Sequence, residues 1–297
     1  MLMDILLLGK NGQLGSEFFR RLEGSAGTVA LDRSSHGNLN KPQQLAEYVL
    51  ENKPRIIINA AAYTAVDKAE DEAELAFQIN SYAPAAIALA ARDVGALLVH
   101  FSTDYVYDGS GHLPWHETDQ TAPLNVYGQS KLAGDEAIQK SGCRHYIFRT
   151  SWVFSVTGQN FLKTILRLSR EKDQLRVVND QIGAPTSVEL IASMSLRAIS
   201  EAYQQNQDSG VYHLLAAGET SWHEYACYIV EVARELGADV KAREVIPVPS
   251  SAFPTRARRP FNSRLDLTKI STAFDLTIPH WKCDVKKAII EILRSNI

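Results

Sequence analysis

Cysteine is scarce in this sequence, and neither sign of charge is in excess. The chain of 297 residues contains Cys143, Cys227 and Cys283, an odd number without the spacing of metal ligands. This excludes a disulfide framework and a zinc site, and it is typical of a reducing compartment. The 31 basic and 34 acidic residues leave a net charge of −3. The charge pattern therefore indicates neither nucleic acid nor a membrane surface as a partner.

Long apolar runs are absent as well. The first run, Ile5–Leu8, has only four residues before Gly9. A membrane-spanning helix needs about 18 or more apolar residues, and a signal peptide needs a longer apolar core. We therefore expect an intracellular, cytoplasmic protein. The composition, 45% hydrophobic and 22% charged, is that of a globular protein, and at roughly 150 residues per domain the length predicts about two domains.

Short aliphatic runs alternate with longer segments of helical period, which is the pattern of βαβ units around a parallel sheet. The predicted strands are Ile5–Leu8, Thr28–Leu31, Ile56–Asn59, Leu97–Phe101 and Tyr146–Arg149. The predicted helices between them are Leu14–Leu22, Gln43–Glu51, Glu72–Val94 and Tyr127–Lys140. We predict an α/β fold with a Rossmann-type doubly wound parallel sheet, in which residues 1–150 form an NAD(P)-binding domain.

The pattern becomes irregular after about residue 150. Helices are predicted at Phe161–Arg170, Val188–Tyr203, Trp222–Leu236 and Val285–Leu293, separated by loops rich in glycine and proline. We predict that residues 151–297 form mainly a smaller mixed α/β domain for substrate binding, with some later segments returning to the first domain. No flexible linker separates the two parts, so we expect them to pack around a cleft.

The first chemical signal is a glycine turn, Gly9-x-x-Gly12-x-x-Gly15, between a strand and a helix. Such glycines let the backbone approach a pyrophosphate at the helix N-terminus. Asp32 ends the second strand about 20 residues on, where a carboxylate accepts hydrogen bonds from a ribose. Arg33 follows it and suits a ribose 2′-phosphate, so NADH and NADPH both remain open as the cofactor.

The second signal is Tyr127-x-x-x-Lys131 on a predicted helix, preceded by Thr103 at the end of the fourth strand. Spacing by four places the phenol and the amine on one helix face. A phenol with an ordinary pKa near 10 needs a nearby cation to exchange protons near neutrality. We predict that Tyr127 is the proton donor, that Lys131 supplies the cation and that Thr103 hydrogen-bonds the reacting oxygen.

Seven segments together resemble the extended short-chain dehydrogenase/reductases, and within them the dTDP-4-dehydrorhamnose reductases. They are Gly9-Lys10-Asn11-Gly12-Gln13-Leu14-Gly15, Asn59 to Glu70, Ser102 to Tyr107, Asn125-Val126-Tyr127-Gly128, Arg149 to Trp152, Asp180 to Thr186 and Arg259 to Leu265. The resemblance spans the whole chain. It implies an NAD(P)H-dependent oxidoreductase that reduces the C4 ketone of dTDP-4-dehydro-L-rhamnose to dTDP-L-rhamnose, a precursor of bacterial surface polysaccharide such as O-antigen.

The resemblance also implies residue roles. The cofactor contacts it implies are Gly12, Gln13, Leu14, Asp32, Asn38, Leu39, Ala62, Tyr63, Thr64, Tyr127 and Lys131. Thr103 and Asp104 are expected to contact the sugar, and Trp152 to pack on the substrate; the alternative for Trp152 is a buried core indole. Some members are homodimers bridged by magnesium, and the corresponding glutamates here are Glu17, Glu189 and Glu291. Their alternative is three exposed helix glutamates.

A basic loop supplies a candidate site for the substrate diphosphate. The stretch from Ser250 to Arg264 contains Arg258 and Arg259 between prolines, and paired guanidinium groups clamp phosphates by bidentate hydrogen bonds. The expected partner is therefore a small-molecule nucleotide sugar. The alternative is a basic surface loop.

Two other functions fit the same segments. A nucleotide-sugar epimerase or dehydratase of the superfamily keeps its cofactor bound and returns the hydride to the same sugar. Asp104 is followed by Tyr105 rather than by the glutamate of the dehydratases, which argues against a dehydratase.

A non-catalytic subunit that regulates methionine adenosyltransferase is the alternative from another class of function. The complete set of Thr103, Tyr127 and Lys131 argues against it.

Overall fold

The computed structural model describes residues 4–205 and 209–295. The strands are β1 Ile5–Leu8, β2 Thr28–Leu31, β3 Ile56–Asn59, β4 Leu97–Thr103, β5 Arg144–Thr150, β6 Val153–Phe154, β7 Gln174–Val178, β8 Ile182–Gly183, β9 Thr186–Ser187, β10 Gly210–His213, β11 Thr220–Ser221 and β12 Glu244–Val248. The α-helices are α1 Gln13–Leu22, α2 Pro42–Asn52, α3 Val66–Ala69, α4 Ala73–Phe77, α5 Ala83–Val94, α6 Val126–Ser141, α7 Phe161–Glu171, α8 Val188–Gln205, α9 Trp222–Glu235, α10 Thr268–Ala273 and α11 Trp281–Ser295.

The main sheet has six parallel strands in the order β10-β5-β4-β3-β1-β2. Successive side chains of a strand point to opposite faces. Leu7 therefore joins one buried cluster, with Phe18 of α1, whereas Leu6 and Leu8 join another, with Leu45 of α2. Both faces of the sheet are covered, which confirms the predicted doubly wound α/β class.

From β1 the chain adds β2 on one side, and β3 and the later strands lie on the other side, so the direction of strand addition reverses between β1 and β3. Open parallel sheets bind their ligands at such a reversal, outside the carboxyl ends of the strands. The glycine turn follows β1, and Asp32 follows β2. Thr103 ends β4, and Trp152 comes two residues after β5. One edge of the sheet therefore gathers most of the candidate residues.

The first three predicted strands have the observed bounds, and the next two are longer than predicted. The sixth strand, β10, was not predicted. It pairs with β5, so a segment after residue 150 lies in the first sheet. Its four residues, Gly210–His213, include a glycine and a histidine and lack the aliphatic run of the other strands.

The helix predicted over Glu72–Val94 is confirmed in its extent, since residues 73–94 are helical throughout, but its middle is a π-helical turn that was not predicted. The chain forms α4, a π-helical turn over Gln78–Tyr82 and then α5. Pro84 stands in the first turn of α5, where a proline is tolerated because that N–H needs no helical partner. The π turn directs Asn80 to the backbone of Tyr63, with Asn80 Oδ1 accepting from Tyr63 N at 2.8 Å. The helix therefore continues through the turn, and the turn places Asn80 against the segment that follows β3.

The rest of the chain builds short two-stranded pairs, β7 with β12, β8 with β11 and β6 with β9, against α7, α9 and α11. Its loops contact the segment between β4 and α6, where Trp115 N donates to Arg264 O at 2.9 Å. Among the helices described, none is long and apolar enough to cross a membrane.

Candidate active site

The glycine turn after β1 tolerates no side chain at two positions. Gly9 has a φ of 87°, and a Cβ there would lie 2.8 Å from the Cβ of Ala61. A Cβ on Gly15 would lie 1.9 Å from Gly9 O. Gly12 is the N-cap of α1, and within the described chain no side chain caps this helix and no acid stands in its first turn. The open N-terminus is suited to an anionic phosphate.

Asp32 is held in a turn by its own neighbours. Its Oδ1 accepts from Ser34 Oγ at 2.6 Å and from the Ser35 amide at 3.0 Å. Hydrogen bonds from Ser34 and Ser35 hold the pKa of Asp32 well below its usual value. Asp32 Oδ2 accepts from Asn11 Nδ2 at 3.0 Å and lies 3.5 Å from Lys10 Nζ. The second carboxylate oxygen therefore faces the glycine turn.

Tyr63 follows β3, and its phenol points away from the glycine turn. Tyr63 OH donates to Glu72 Oε2 at 2.7 Å, and burial, followed by Glu72, raises the pKa of Tyr63 to about 12. Asn80 fixes the Tyr63 backbone through two hydrogen bonds, of 2.8 and 3.0 Å. Only the backbone of Tyr63 is therefore placed for a cofactor. Ala62 precedes it, and Thr64 borders the cavity described below.

Asn38 and Leu39 lie in the loop after β2. Leu39 is buried in the core beside α2, so its side chain is committed to packing. Asn38 Oδ1 accepts from the Asn40 amide at 3.0 Å. Only the Leu39 backbone is left for a ligand, and the Asn38 side chain is already part of its own turn.

Thr103 ends β4 and Tyr127 lies in the first turn of α6, close enough for Thr103 to lower the pKa of the phenol against the larger rise caused by burial. Asn125 caps α6 by accepting from the Gly128 amide at 2.8 Å. A Cβ on Gly128 would lie 2.2 Å from Tyr105 O. The start of the helix therefore packs directly on the turn after β4, which explains the segment Asn125-Val126-Tyr127-Gly128.

Lys131 lies one helical turn further along α6 and is buried. Its Nζ donates to Phe101 O at 2.6 Å and lies 3.0 Å from His100 Nε2. Burial lowers the pKa of Lys131 to about 8, against the opposing charge of Asp135. Burial likewise raises the pKa of Tyr127, and Thr103 opposes that rise. Among the described residues, no hydrogen bond joins Nζ to the phenol.

Asp104 is buried beside this pair and is incompletely hydrogen-bonded. Thr103 Oγ1 donates to its Oδ1 at 3.2 Å, whereas no partner for Oδ2 is found among the described residues. Burial raises the pKa of Asp104 to about 6, and a hydrogen bond from Ser263 opposes the rise. Ser263 belongs to the later half of the chain, so this carboxyl lies where the two halves meet.

A cavity of about 470 Å³ opens between the two halves. Its border includes Gln13, Thr64, Asp67, Trp152, Trp222 and Arg259. Trp152 has a φ of 46°, which is uncommon for a residue with a side chain. Its ring stacks on Trp222, with ring centroids 3.6 Å apart. Trp152 is therefore a half-buried wall of the cavity rather than a core indole.

The two arginines of the basic loop are placed differently. Arg259 borders the cavity and donates from Nη2 to Asp67 Oδ2 at 2.8 Å. Arg258 is exposed and is not among the residues that border the cavity, although its carbonyl accepts from Asn125 Nδ2 at 2.8 Å. The structure brings Arg259, but not the Arg258 side chain, to the cavity.

The three glutamates expected to hold magnesium surround Arg20. Its pKa is raised by Glu17 first and then by Glu189 and Glu291. Glu17 accepts from Arg20 at 2.7 Å and from Arg21 at 2.6 Å. Within residues 4–205 and 209–295, no group of three His, Cys, Asp or Glu side chains is arranged to hold a metal ion. In one copy of the chain Glu17 is paired with two arginines and Glu189 with Lys287, so these two carboxylates are already neutralised.

Sequence reasoning missed Asn59, Asn80 and His100. Each is almost wholly buried and hydrogen-bonded next to the site. The sequence does contain a signal for two of them, namely a polar residue within or directly after an aliphatic run. His100 interrupts the run Leu97–Phe101, and Asn59 ends an aliphatic strand. Such positions indicate buried polar networks.

The doubly wound sheet, the glycine turn at its reversal point and the nearby Thr103, Tyr127 and Lys131 define a nicotinamide-dependent oxidoreductase of the extended short-chain dehydrogenase/reductase type. More narrowly, the chain belongs to the RmlD substrate-binding domain family, whose sequence model matches residues 3–294.

Named relatives agree along the whole chain. It is 48% identical to dTDP-4-dehydrorhamnose reductase of Salmonella typhimurium, over 99% of each chain. A crystal structure of a dTDP-4-dehydrorhamnose reductase from Clostridium acetobutylicum has a TM-score of 0.88 and 36% identity, covering 98% of this chain and 100% of that one. The enzyme of Bacillus anthracis, solved in complex with NADP, has a TM-score of 0.88 and 34% identity with the same coverage.

Proposed function

We propose that this chain reduces the C4 ketone of dTDP-4-dehydro-L-rhamnose to the alcohol of dTDP-L-rhamnose, with NADH or NADPH as reductant. The observation that carries the proposal is that Thr103, at the carboxyl end of β4, and Tyr127, in the first turn of α6, are neighbours close to the glycine turn's edge of the sheet. The names of relatives up to 48% identical supply the substrate.

The cofactor and three side chains have separate roles in the proposed reduction. The bound cofactor supplies hydride to C4, and the oxygen of the former ketone then needs a proton. Tyr127 carries its proton at neutral pH, as phenols do, and although burial raises its pKa further, the alkoxide formed at C4 is a stronger base than a phenolate and can take that proton. Thr103 donates a hydrogen bond to the same oxygen and orients it. Lys131, four residues along the helix, stabilises the phenolate that remains.

The glycine turn and the open end of α1 are suited to the cofactor pyrophosphate, and Asp32 to its adenosine ribose. Asp32 Oδ2 favours a 2′-hydroxyl, whereas Lys10, 3.5 Å away, and the exposed Arg33 suit a 2′-phosphate. We assign the cofactor mainly to residues 1–150 and the sugar nucleotide mainly to residues 151–297. The relative from Bacillus anthracis was solved with NADP, which supports NADPH as one usable reductant.

The nucleotide sugar would occupy the cavity between the two halves. Asp104 and Trp152 are proposed to contact the sugar, and Arg259 to bind the diphosphate. Arg259 already pairs with Asp67, so substrate must compete with this carboxylate. Arg258 is exposed and does not border the cavity, so we assign the diphosphate to Arg259 without Arg258.

A magnesium-bridged homodimer is the part of the proposal that these contacts do not favour. Glu17 is neutralised by two arginines, and Glu189 accepts from Lys287 at 3.2 Å. Metal analysis and molar mass, each measured with and without chelator, test it. Bound magnesium and a mass that falls on chelation would establish the bridge, whereas metal-free protein of unchanged mass would exclude it.

The decisive assay follows coenzyme oxidation with purified protein, free NADPH or NADH and dTDP-4-dehydro-L-rhamnose, with the product identified by mass spectrometry. We expect one coenzyme oxidised for each sugar reduced. An epimerase or dehydratase would turn the sugar over with no net oxidation of added coenzyme. A regulatory subunit would show no turnover at all and would bind methionine adenosyltransferase.

A further inference from the structure

His100 lies in the middle of β4, and the proposed reduction gives it no part. Its ring stands between Asn59 at the end of β3 and Lys131 of α6. His100 Nδ1 is 3.1 Å from Asn59 Nδ2, and His100 Nε2 is 3.0 Å from Lys131 Nζ. All three side chains are 1% exposed. With so little access to water, they must satisfy one another's hydrogen bonds.

The numbers of hydrogen-bond donors and acceptors on the two side chains link the charge of Lys131 to the tautomer of His100. Burial, and then Lys131, keeps the pKa of His100 well below its usual value, so the imidazole is neutral and has one N–H and one lone pair. An ammonium group only donates. When Lys131 is charged, Nε2 must therefore accept, and the imidazole proton lies on Nδ1. When Lys131 is a neutral amine, Nε2–H can donate to its lone pair, and Nδ1 accepts.

Asn59 can match either tautomer. Its terminal amide presents an oxygen or a nitrogen at the same place after a half-turn. With its nitrogen toward Nδ1, Asn59 Oδ1 accepts from the Ala61 amide at 3.3 Å, which is the arrangement that suits neutral Lys131. With its oxygen toward Nδ1–H, Asn59 suits the ammonium form of Lys131, and the Ala61 amide then loses its acceptor. Phe101 O, 2.6 Å from Nζ, accepts in both states.

We propose that His100 is a positioning residue: it changes tautomer as Lys131 gains or loses its proton, and together with Asn59 it keeps Lys131 hydrogen-bonded in both charge states. The proposal rests on the proposed function in one respect, because it assigns Lys131 a part in the reduction. The tautomer change of His100 itself does not depend on turnover of a substrate.

Other charges near Lys131 set the pH at which the change occurs. Asp135, four residues further along α6, favours the ammonium form, and it is itself paired with Arg149 of β5 at 3.3 Å. Tyr127 lies on the preceding turn of α6. Burial outweighs Asp135 and lowers the pKa of Lys131 to about 8. The tautomer change should therefore fall between neutral and mildly alkaline pH.

Nitrogen-15 NMR of the histidine rings in the native protein tests the proposal directly. The signals of His100 are identified by their loss in His100→Gln. We expect the proton on Nδ1 below the pKa of Lys131 and on Nε2 above it. The same tautomer from pH 6 to pH 10, or a doubly protonated ring at neutral pH, would overturn the proposal. Because this readout needs no substrate, it is independent of whether the proposed function holds.

The pH profile of kcat provides a second test. His100→Leu removes a hydrogen bond from both charge states of Lys131, and the bond to the ammonium group is the stronger. The alkaline limb should therefore move to lower pH by about one unit, the difference between a hydrogen bond to a charged group and one to a neutral group. His100→Gln provides an amide that can accept or donate, so the alkaline limb of the kcat profile should return to its native position. The matched control is His145→Gln, a buried histidine of β5 bonded to Cys143 O. An unmoved limb in His100→Leu would contradict the proposal. If that variant does not fold, the NMR titration decides alone.

Discussion

Replacing Arg259 by alanine should weaken binding of the nucleotide sugar without changing coenzyme binding. Arg259 borders the cavity, and a hydrogen bond to a charged group contributes about 1.5–3 kcal/mol. At about 1.4 kcal/mol for each factor of ten, the Michaelis constant for the sugar should rise about 10- to 100-fold. Arg258→Ala is the matched control, because that side chain is exposed and is not at the cavity border.

Replacing Asp67 should have the opposite effect on the Michaelis constant to replacing Arg259. Its pair with Arg259, 2.8 Å long, is a third or more exposed on both sides, and such pairs contribute about 0.2–1 kcal/mol. Asp67→Asn frees Arg259 for the diphosphate, so the Michaelis constant should fall up to about fivefold. Steady-state kinetics with varied sugar measure all three variants. An unaltered constant in Arg259→Ala would show that the diphosphate is bound elsewhere.

Three further predictions address the catalytic group and the cofactor site. Tyr127→Phe should lower turnover by about 10²–10⁴-fold, the usual contribution of a positioned general acid, with the coenzyme dissociation constant unchanged; rates within twofold of native would remove it from the mechanism. Asp32→Ala should weaken NADH more than NADPH in binding titrations, whereas an equal loss would leave Asp32 as a turn residue fixed by its serines. Gly15→Ala places a Cβ 1.9 Å from Gly9 O, so it should lower the melting temperature and abolish coenzyme binding, and an unchanged melting curve would refute the close approach.

The sheet was predictable because its strands are aliphatic and bounded by turn residues. Ile5–Leu8 and Ile56–Asn59 are uniform runs, and burial on both faces of a parallel sheet requires such runs. The strand Gly210–His213 lacks this signal, since it lies at the sheet edge and is only half buried at its start. The π-helical turn at Gln78–Tyr82 places Asn80 against a distant loop, and local periodicity contains no information on such a turn.

Within the site, the sequence predicted residues that have a spacing or a place at a strand end. Tyr127 and Lys131 have a helical spacing, and Thr103 ends a strand. The direction of a side chain was not predictable. Lys131 Nζ turns to His100 rather than to the phenol, and Arg259 faces the cavity whereas its neighbour Arg258 does not. Those choices depend on packing between segments that are far apart in the chain.

The central claim is that hydride passes from the coenzyme to C4 of the sugar. Coenzyme deuterated at the transferable position of the nicotinamide ring, incubated with the native protein and dTDP-4-dehydro-L-rhamnose, tests it most directly. We expect one deuterium in each molecule of dTDP-L-rhamnose, located at C4 by NMR, and the same deuterium content in the product of Tyr127→Phe, formed about 10²–10⁴-fold more slowly. Product formed without deuterium at C4, or coenzyme that stays reduced while the sugar is consumed, would contradict it.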